Sequence, residues 1–124
     1  MIDETEIFFV VLGEPASKAN SRQLVRLNGR PAFIKSRKAR DYVNAFQLQC
    51  PKRSVLMQGD LSVSIKIYYA SRRPDLDESV ILDAMQGLVY ENDRQVKEKH
   101  VYHGLDKQNP RAEIKVSQVP GAGA

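Results

Sequence analysis

Downstream of Gly59-Asp60, Val63, Ile65, Ile67 and Tyr69 alternate with Ser62, Ser64, Lys66 and Tyr68. Successive side chains of a β-strand point to opposite faces, so this period of two lays the first set on a core and turns the second away from it. A chain built around such a strand needs partner strands and an apolar layer over one face. With 124 residues, it can bury roughly two thirds of the surface its unfolded form exposes, enough for one core in one small domain.

The remaining elements follow from local signals. Glu6 to Gly13 is a short apolar and β-branched run closed by Gly13 and Pro15, and reads as a largely buried strand. Pro15 to Ser21 is a loop. Gln23–Leu27 and Pro31–Ile34 flank Asn28-Gly29-Arg30, and Asn-Gly is a strong hairpin signal because both residues tolerate positive φ. Ser36 is placed to cap a helix in which Ala39, Tyr42, Val43, Phe46 and Cys50 share a face, with Pro51 as its stop. Val80, Ile81, Ala84, Met85 and Leu88 line a second helix that breaks near Gly87. Glu91-Asn92-Asp93 is a turn, and Gln95–His103 and Arg111–Val119 are strands joined by a loop rich in turn formers. The expectation is a small single domain of α+β class, a mixed β-sheet with two helices over residues 1–119, followed by a frayed tail at 120–124.

The longest apolar stretch, Ile7 to Leu12, is far short of the ~20 residues that span a bilayer, and the N-terminus is acidic where a signal peptide is basic. One cysteine, Cys50, excludes an intrachain disulfide and a cysteine-rich zinc site. Both point to a reducing cytoplasm and no membrane.

The net charge of +4 hides two opposed blocks. Pro15 to Arg40 carries Lys18, Arg22, Arg26, Arg30, Lys35, Arg37, Lys38 and Arg40 with no acid, whereas Asp75 to Asp93 carries Asp75, Asp77, Glu78, Asp83, Glu91 and Asp93 with no base. In an extended segment, Asp75 and Asp77 point the same way while Leu76 faces the core. Two such charges about 5 Å apart repel by roughly 3 kcal/mol at an effective dielectric near 20. A proton or a cation must offset that. Mg²⁺ prefers oxygen ligands and is commonly held by one or two carboxylates plus substrate phosphate; Asp93 is placed to return a third carboxylate, with Glu91 and Asp83 as lesser candidates. The alternative is structural: Asp77 as the cap of the second helix, and Asn92-Asp93 as turn chemistry. The basic block reads either as a solvated face or as a phosphate-binding surface, interleaved with Asn20, Ser21, Gln23, Asn28 and Ser36, whose side chains suit phosphate and sugar. An acidic metal centre alone repels a polyanion, so the two blocks fit together in a phosphodiester enzyme. His100 and His103 fall on opposite faces of a strand and make a poor zinc site. No Gly-rich phosphate loop or nucleophile elbow is present.

Arg73-Pro74-Asp75-Leu76-Asp77, then Leu82-Asp83-Ala84-Met85-Gln86-Gly87-Leu88 and Glu91-Asn92-Asp93-Arg94-Gln95-Val96, resembles the signature of RusA-type Holliday junction resolvases. Ser17-Lys18-Ala19-Asn20-Ser21 and Ile34-Lys35-Ser36 with Tyr42 look like that family's S-x-N loop and S-x(5)-Y segment, so the likeness runs from about Phe8 to Val116. The resemblance implies a homodimeric, Mg²⁺-dependent, structure-selective endonuclease of DNA recombination and repair, often prophage-borne, that cuts paired strands of a four-way junction. Carried over by position, Asp75, Asp77 and Asp93 are its metal-binding and catalytic aspartates. Lys18, Asn20, Arg22, Arg26, Arg30, Lys35, Arg37, Lys38, Arg72 and Arg73 are the DNA-binding candidates. Three departures stand out: a shorter interval from Asp77 to Asp83, Glu78 where the family has Asn, and Val80 or Ile81 near the place of an assisting helix Lys. Lys97, Lys99 and Arg94 are the nearby cations in sequence. The rival readings are a non-catalytic nucleic-acid-binding phage accessory protein of the same fold and, less well supported by so basic a segment, a metal-dependent nucleotide hydrolase.

Overall fold

The computed structural model describes residues 6–16, 20–72 and 77–119. In chain order the elements are β1 (Glu6–Leu12), β2 (Arg22–Leu27), β3 (Arg30–Lys35), α1 (Arg37–Gln49), β4 (Leu61–Tyr69), α2 (Glu78–Ala84), a 3-10 turn (Asp93–Gln95), β5 (Val96–Leu105) and β6 (Arg111–Gln118). The fold is α+β, with a four-stranded sheet ordered β1-β6-β4-β5 and a separate β2–β3 hairpin. β1 pairs antiparallel with β6 and β6 with β4, while β4 and β5 run parallel.

The alternating segment becomes β4, with Val63, Ile65, Ile67 and Tyr69 fully buried. They join Phe9, Val11, Ala112, Ile114 and Val116 on one sheet face, under Ala39, Tyr42 and Phe46 of α1 and Val80, Ile81 and Ala84 of α2. The Phe9 and Phe46 rings meet edge to face at 5.9 Å. Ser36 caps α1 as expected, its Oγ accepting from the Ala39 amide at 3.2 Å. Asn28 and Gly29 take φ of 53° and 78°, as a two-residue hairpin turn requires. Cys50 is buried, and burial pushes its thiol up to about 12, so it behaves as a small apolar residue.

Two expectations need correction. β1 is not largely buried: Phe9 and Val11 are buried and Ile7 partly so, while Phe8, Val10 and Leu12 are exposed. An unbroken apolar run does not reveal that its strand lies at a sheet edge with one face open. The free edge is closed at one end by Gln49 of α1, which accepts from the Leu12 amide at 2.8 Å and donates to its carbonyl at 3.2 Å. The second helix is shorter than its apolar spacing indicates. It ends at Ala84, and Gly87 at φ 83° begins the turn that buries Tyr90, whose hydroxyl donates to the Leu82 carbonyl at 2.5 Å. The two strands expected after Glu91 form, one on each side of β4. The tail expected at 120–124 lies outside the described residues.

Because Phe46 is fully buried at the junction of α1 and the sheet, Phe46→Ala lowers stability by about 3–5 kcal/mol in urea denaturation. Leu48→Ala, two residues on and 90% exposed, shifts it by less than about 0.5 kcal/mol.

Candidate active site

A parallel pair cannot be joined by a tight turn, so the chain must cross over between β4 and β5, and that crossover carries the acidic block. Asp77 occupies the position just before α2, yet its side chain does not cap the helix. It is only 4% exposed, and its two oxygens take hydroxyl hydrogen bonds from different elements: Ser21, at the start of the hairpin, donates to Oδ2, and Ser79 to Oδ1. Among the described residues no ion pair reaches it. A buried carboxylate held by two neutral donors keeps acceptor capacity in hand.

At the far end of the crossover, two glutamines fix the turn that presents Asp93. Gln95 Oε1 accepts from the Glu91 and Asn92 amides, both at 3.1 Å, while its Nε2 donates to the Met57 carbonyl at 2.9 Å and that of Gly59 at 3.1 Å. Gln86 Oε1 accepts from the Asp93 amide at 3.0 Å, and its Nε2 donates to Asp83 at 2.9 Å. Asn92 caps the 3-10 turn through the Arg94 amide at 2.8 Å. Turn chemistry is thus done by Asn92 and the glutamines. The exposed Asp93 carboxylate makes no hydrogen bond or ion pair among the described residues. Burial first, then the Asp93 and Asp83 carboxylates, raise the Tyr90 hydroxyl well above the usual phenol range, so it remains a donor.

Asp93 and Ser79 line two open recesses that meet at these residues. Arg22, Lys35, Val80 and Asp83 complete one; Leu82, Val96 and Lys99 complete the other. The acidic block, which has no base of its own, is therefore met by cations from elsewhere: Lys35 of β3 pairs with Asp83 at 2.7 Å, and Lys99 of β5 approaches Glu78 at 3.5 Å. Lys99 reaches the site because β5 shifts register near its start. Leu61 pairs with Val96 but Ser62 with Glu98, leaving Lys97 as an extra residue. From there Lys99, opposite buried Val63, faces the helices in place of Glu98. Val80 and Ile81, near the position of the family's helix Lys, are buried in the core.

The other candidates are dispersed. Arg26 and Arg30 are exposed on the hairpin, Lys38 and Arg72 are exposed, and Arg37 lies 3.9 Å from Asp41 on the outer face of α1. Asn20 is exposed, and its carbonyl accepts from Ser36 Oγ at 2.6 Å. Asp75, Arg73 and Lys18 lie outside the described residues. His100 sits 3.6 Å from Glu98, and His103 packs edge-on against Tyr69 on the opposite face of β5. Ser79, Gln86 and Gln95 carry no role in the sequence reading, although Gln95 belongs to the acidic-turn motif, and Ser21, read there as a phosphate or sugar contact of the loop motif, instead holds Asp77.

No three Asp, Glu, His or Cys side chains among the described residues gather as a ligand set. Those present supply two oxygen donors, the buried Asp77 and the exposed Asp93, and this chemistry suits a hard cation such as Mg²⁺. Compared with known families, residues 13–117 match the model of endodeoxyribonuclease RusA. No curated protein matches the chain.

Removing the glutamine that holds four backbone groups should loosen the Asp93 turn without touching either carboxylate. Gln95→Ala is expected to cost about 1–3 kcal/mol and to speed hydrogen exchange at the Glu91 and Asn92 amides, read by NMR.

Proposed function

This chain belongs to the RusA family of endodeoxyribonucleases, and we propose that it is a Mg²⁺-dependent, structure-selective nuclease that resolves four-way DNA junctions. One observation carries the reading beyond the family: Asp93, unpaired among the described residues, and the serine that holds Asp77 share recesses whose other walls bring in Arg22, Lys35 and Lys99. Asp77 and Asp93, joined by Asp75, would hold the metal. When bound, the ion supplies Lewis acidity at the phosphodiester and a more acidic attacking water.

The chain's own groups do the rest. Ser21 and Ser79 fix the Asp77 carboxylate, and the Gln86–Gln95 pair fixes the loop under Asp93. Arg22 and Lys35 receive the backbone of the strand to be cut, and Lys99 lies on the other side to stabilise charge gathering on the phosphate and leaving oxygen. Arg26 and Arg30 on the hairpin, the exposed Arg37, Lys38, Arg72 and Asn20, and the sequence candidates Lys18 and Arg73 would serve as further backbone contacts. A homodimer presents two such sites to two strands, which is what paired incision needs. Selectivity comes from junction shape more than from base sequence. Among the described residues no helix is long and apolar enough to cross a membrane.

The test is incubation of the purified protein with a synthetic four-way junction, linear duplex and free nucleotides, with Mg²⁺ or with chelator. Symmetric, Mg²⁺-dependent nicking of the junction alone is expected; binding without cutting supports the non-catalytic reading, and nucleotide turnover the hydrolase. Asp93→Asn, at an exposed position, should keep the fold and junction binding while cutting falls by more than about 100-fold, beyond the loss typical of an outer-shell partner. Lys99→Met should slow cutting with a smaller effect on binding.

A further inference from the structure

The β2–β3 hairpin forms a sheet separate from the main one and carries the most exposed aromatic side chain among the described residues: Phe33 is 74% and its cross-strand partner Leu24 61% exposed. An exposed apolar pair of this size on a small domain calls for an occupant. Its surroundings say which kind. Cross-strand partners share a face, as do residues two apart, so Arg22–Lys35, Leu24–Phe33 and Arg26–Pro31 form three rungs of one surface. The first rung lines the recess that holds Asp93, and the apolar rung lies roughly 7 Å farther out at the rise of a strand. The ribbon's base is fixed: the Ser36 amide donates to the Ser21 carbonyl at 2.8 Å, and Lys35 is paired with Asp83 at 2.7 Å.

We infer that Phe33, backed by Leu24, is a wedge that stacks on the unpaired or unstacked base faces of branched DNA while Arg22 and Arg26 on either side take the adjoining phosphates. This rests on the proposed junction-directed function and assigns its specificity to particular side chains. An aromatic ring between cations matches a base face between phosphates, and no acid lies anywhere from Pro15 to Arg40 to repel the strand. A continuous duplex offers no open base face, whereas a branch point does. The wedge therefore discriminates shape without reading sequence.

The chain contains no tryptophan, so Phe33→Trp installs a single reporter at the wedge. Binding is measured without divalent cations, with a four-way junction and a linear duplex of equal length. Phe33→Ala should weaken junction binding about 10-fold while leaving duplex binding within about two-fold and the circular dichroism spectrum unchanged, whereas Arg26→Ala weakens both substrates alike. Phe33→Trp should restore junction affinity, its emission quenched by junction and not by duplex. If the wild type prefers the junction and Phe33→Ala keeps that preference, the wedge is wrong and the nuclease reading stands. If the wild type shows no preference for the junction, both are wrong. If Phe33→Trp emission instead changes with protein concentration in the absence of DNA, the occupant is a second copy of the chain and the wedge is overturned.

Discussion

Parallel pairing of β4 with β5 is the constraint from which the site follows. Two parallel neighbours must be linked by a crossover that passes over one face of the sheet, and here the crossover contains α2, the buried Asp77, the Asp93 turn and every member of the acidic block. The far flank of β4 is taken by β6 in the antiparallel sense, so β4 is hydrogen-bonded on both edges and buried on one face. That fixes where the crossover begins and ends. The catalytic candidates thus stand just before α2 and on the turn that leads into β5, while the hairpin that would meet the substrate is attached at its base.

Electrostatics then explain why the basic and acidic blocks occur together. The acidic stretch from Asp75 to Asp93 contains no base, and the fold supplies partners from distant segments: Lys35 for Asp83 and Lys99 for Glu78. Asp77 is treated differently, held by two serine hydroxyls. The two hydroxyls bring no opposite charge to it, and Asp93 is left with no partner among the described residues. A carboxylate held by neutral donors and one with no partner among the described residues, with cations close by, is the arrangement that the proposed cation centre and its phosphodiester substrate call for.

Much of this was legible in the sequence wherever one residue type has one physical consequence. The period of two in β4, Asn-Gly in the hairpin and Ser36 at the start of α1 each specify a local geometry, and each formed. β1 was misread because six consecutive apolar residues carry no period, and burial at a sheet edge depends on what packs there. Leu88 keeps the apolar spacing of α2 after the helix has stopped, because tertiary burial of the following turn produces the same pattern. At the site, the acids were visible by their charge. Ser21, Ser79 and the two glutamines were not, since their partners lie across the fold. Lys99 could not be placed because a single extra residue at Lys97 reverses which side of β5 faces the helices.

The central claim, that Asp77 and Asp93 form one cation-binding centre at Ser79, is tested most directly by titrating the protein with Mn²⁺ and following paramagnetic broadening of its amide resonances. The account predicts that Asp77, Ser79 and Asp93 broaden first and together, and that excess Mg²⁺ reverses the effect. Broadening centred elsewhere, or affecting Asp93 while sparing Asp77 and Ser79, would contradict it.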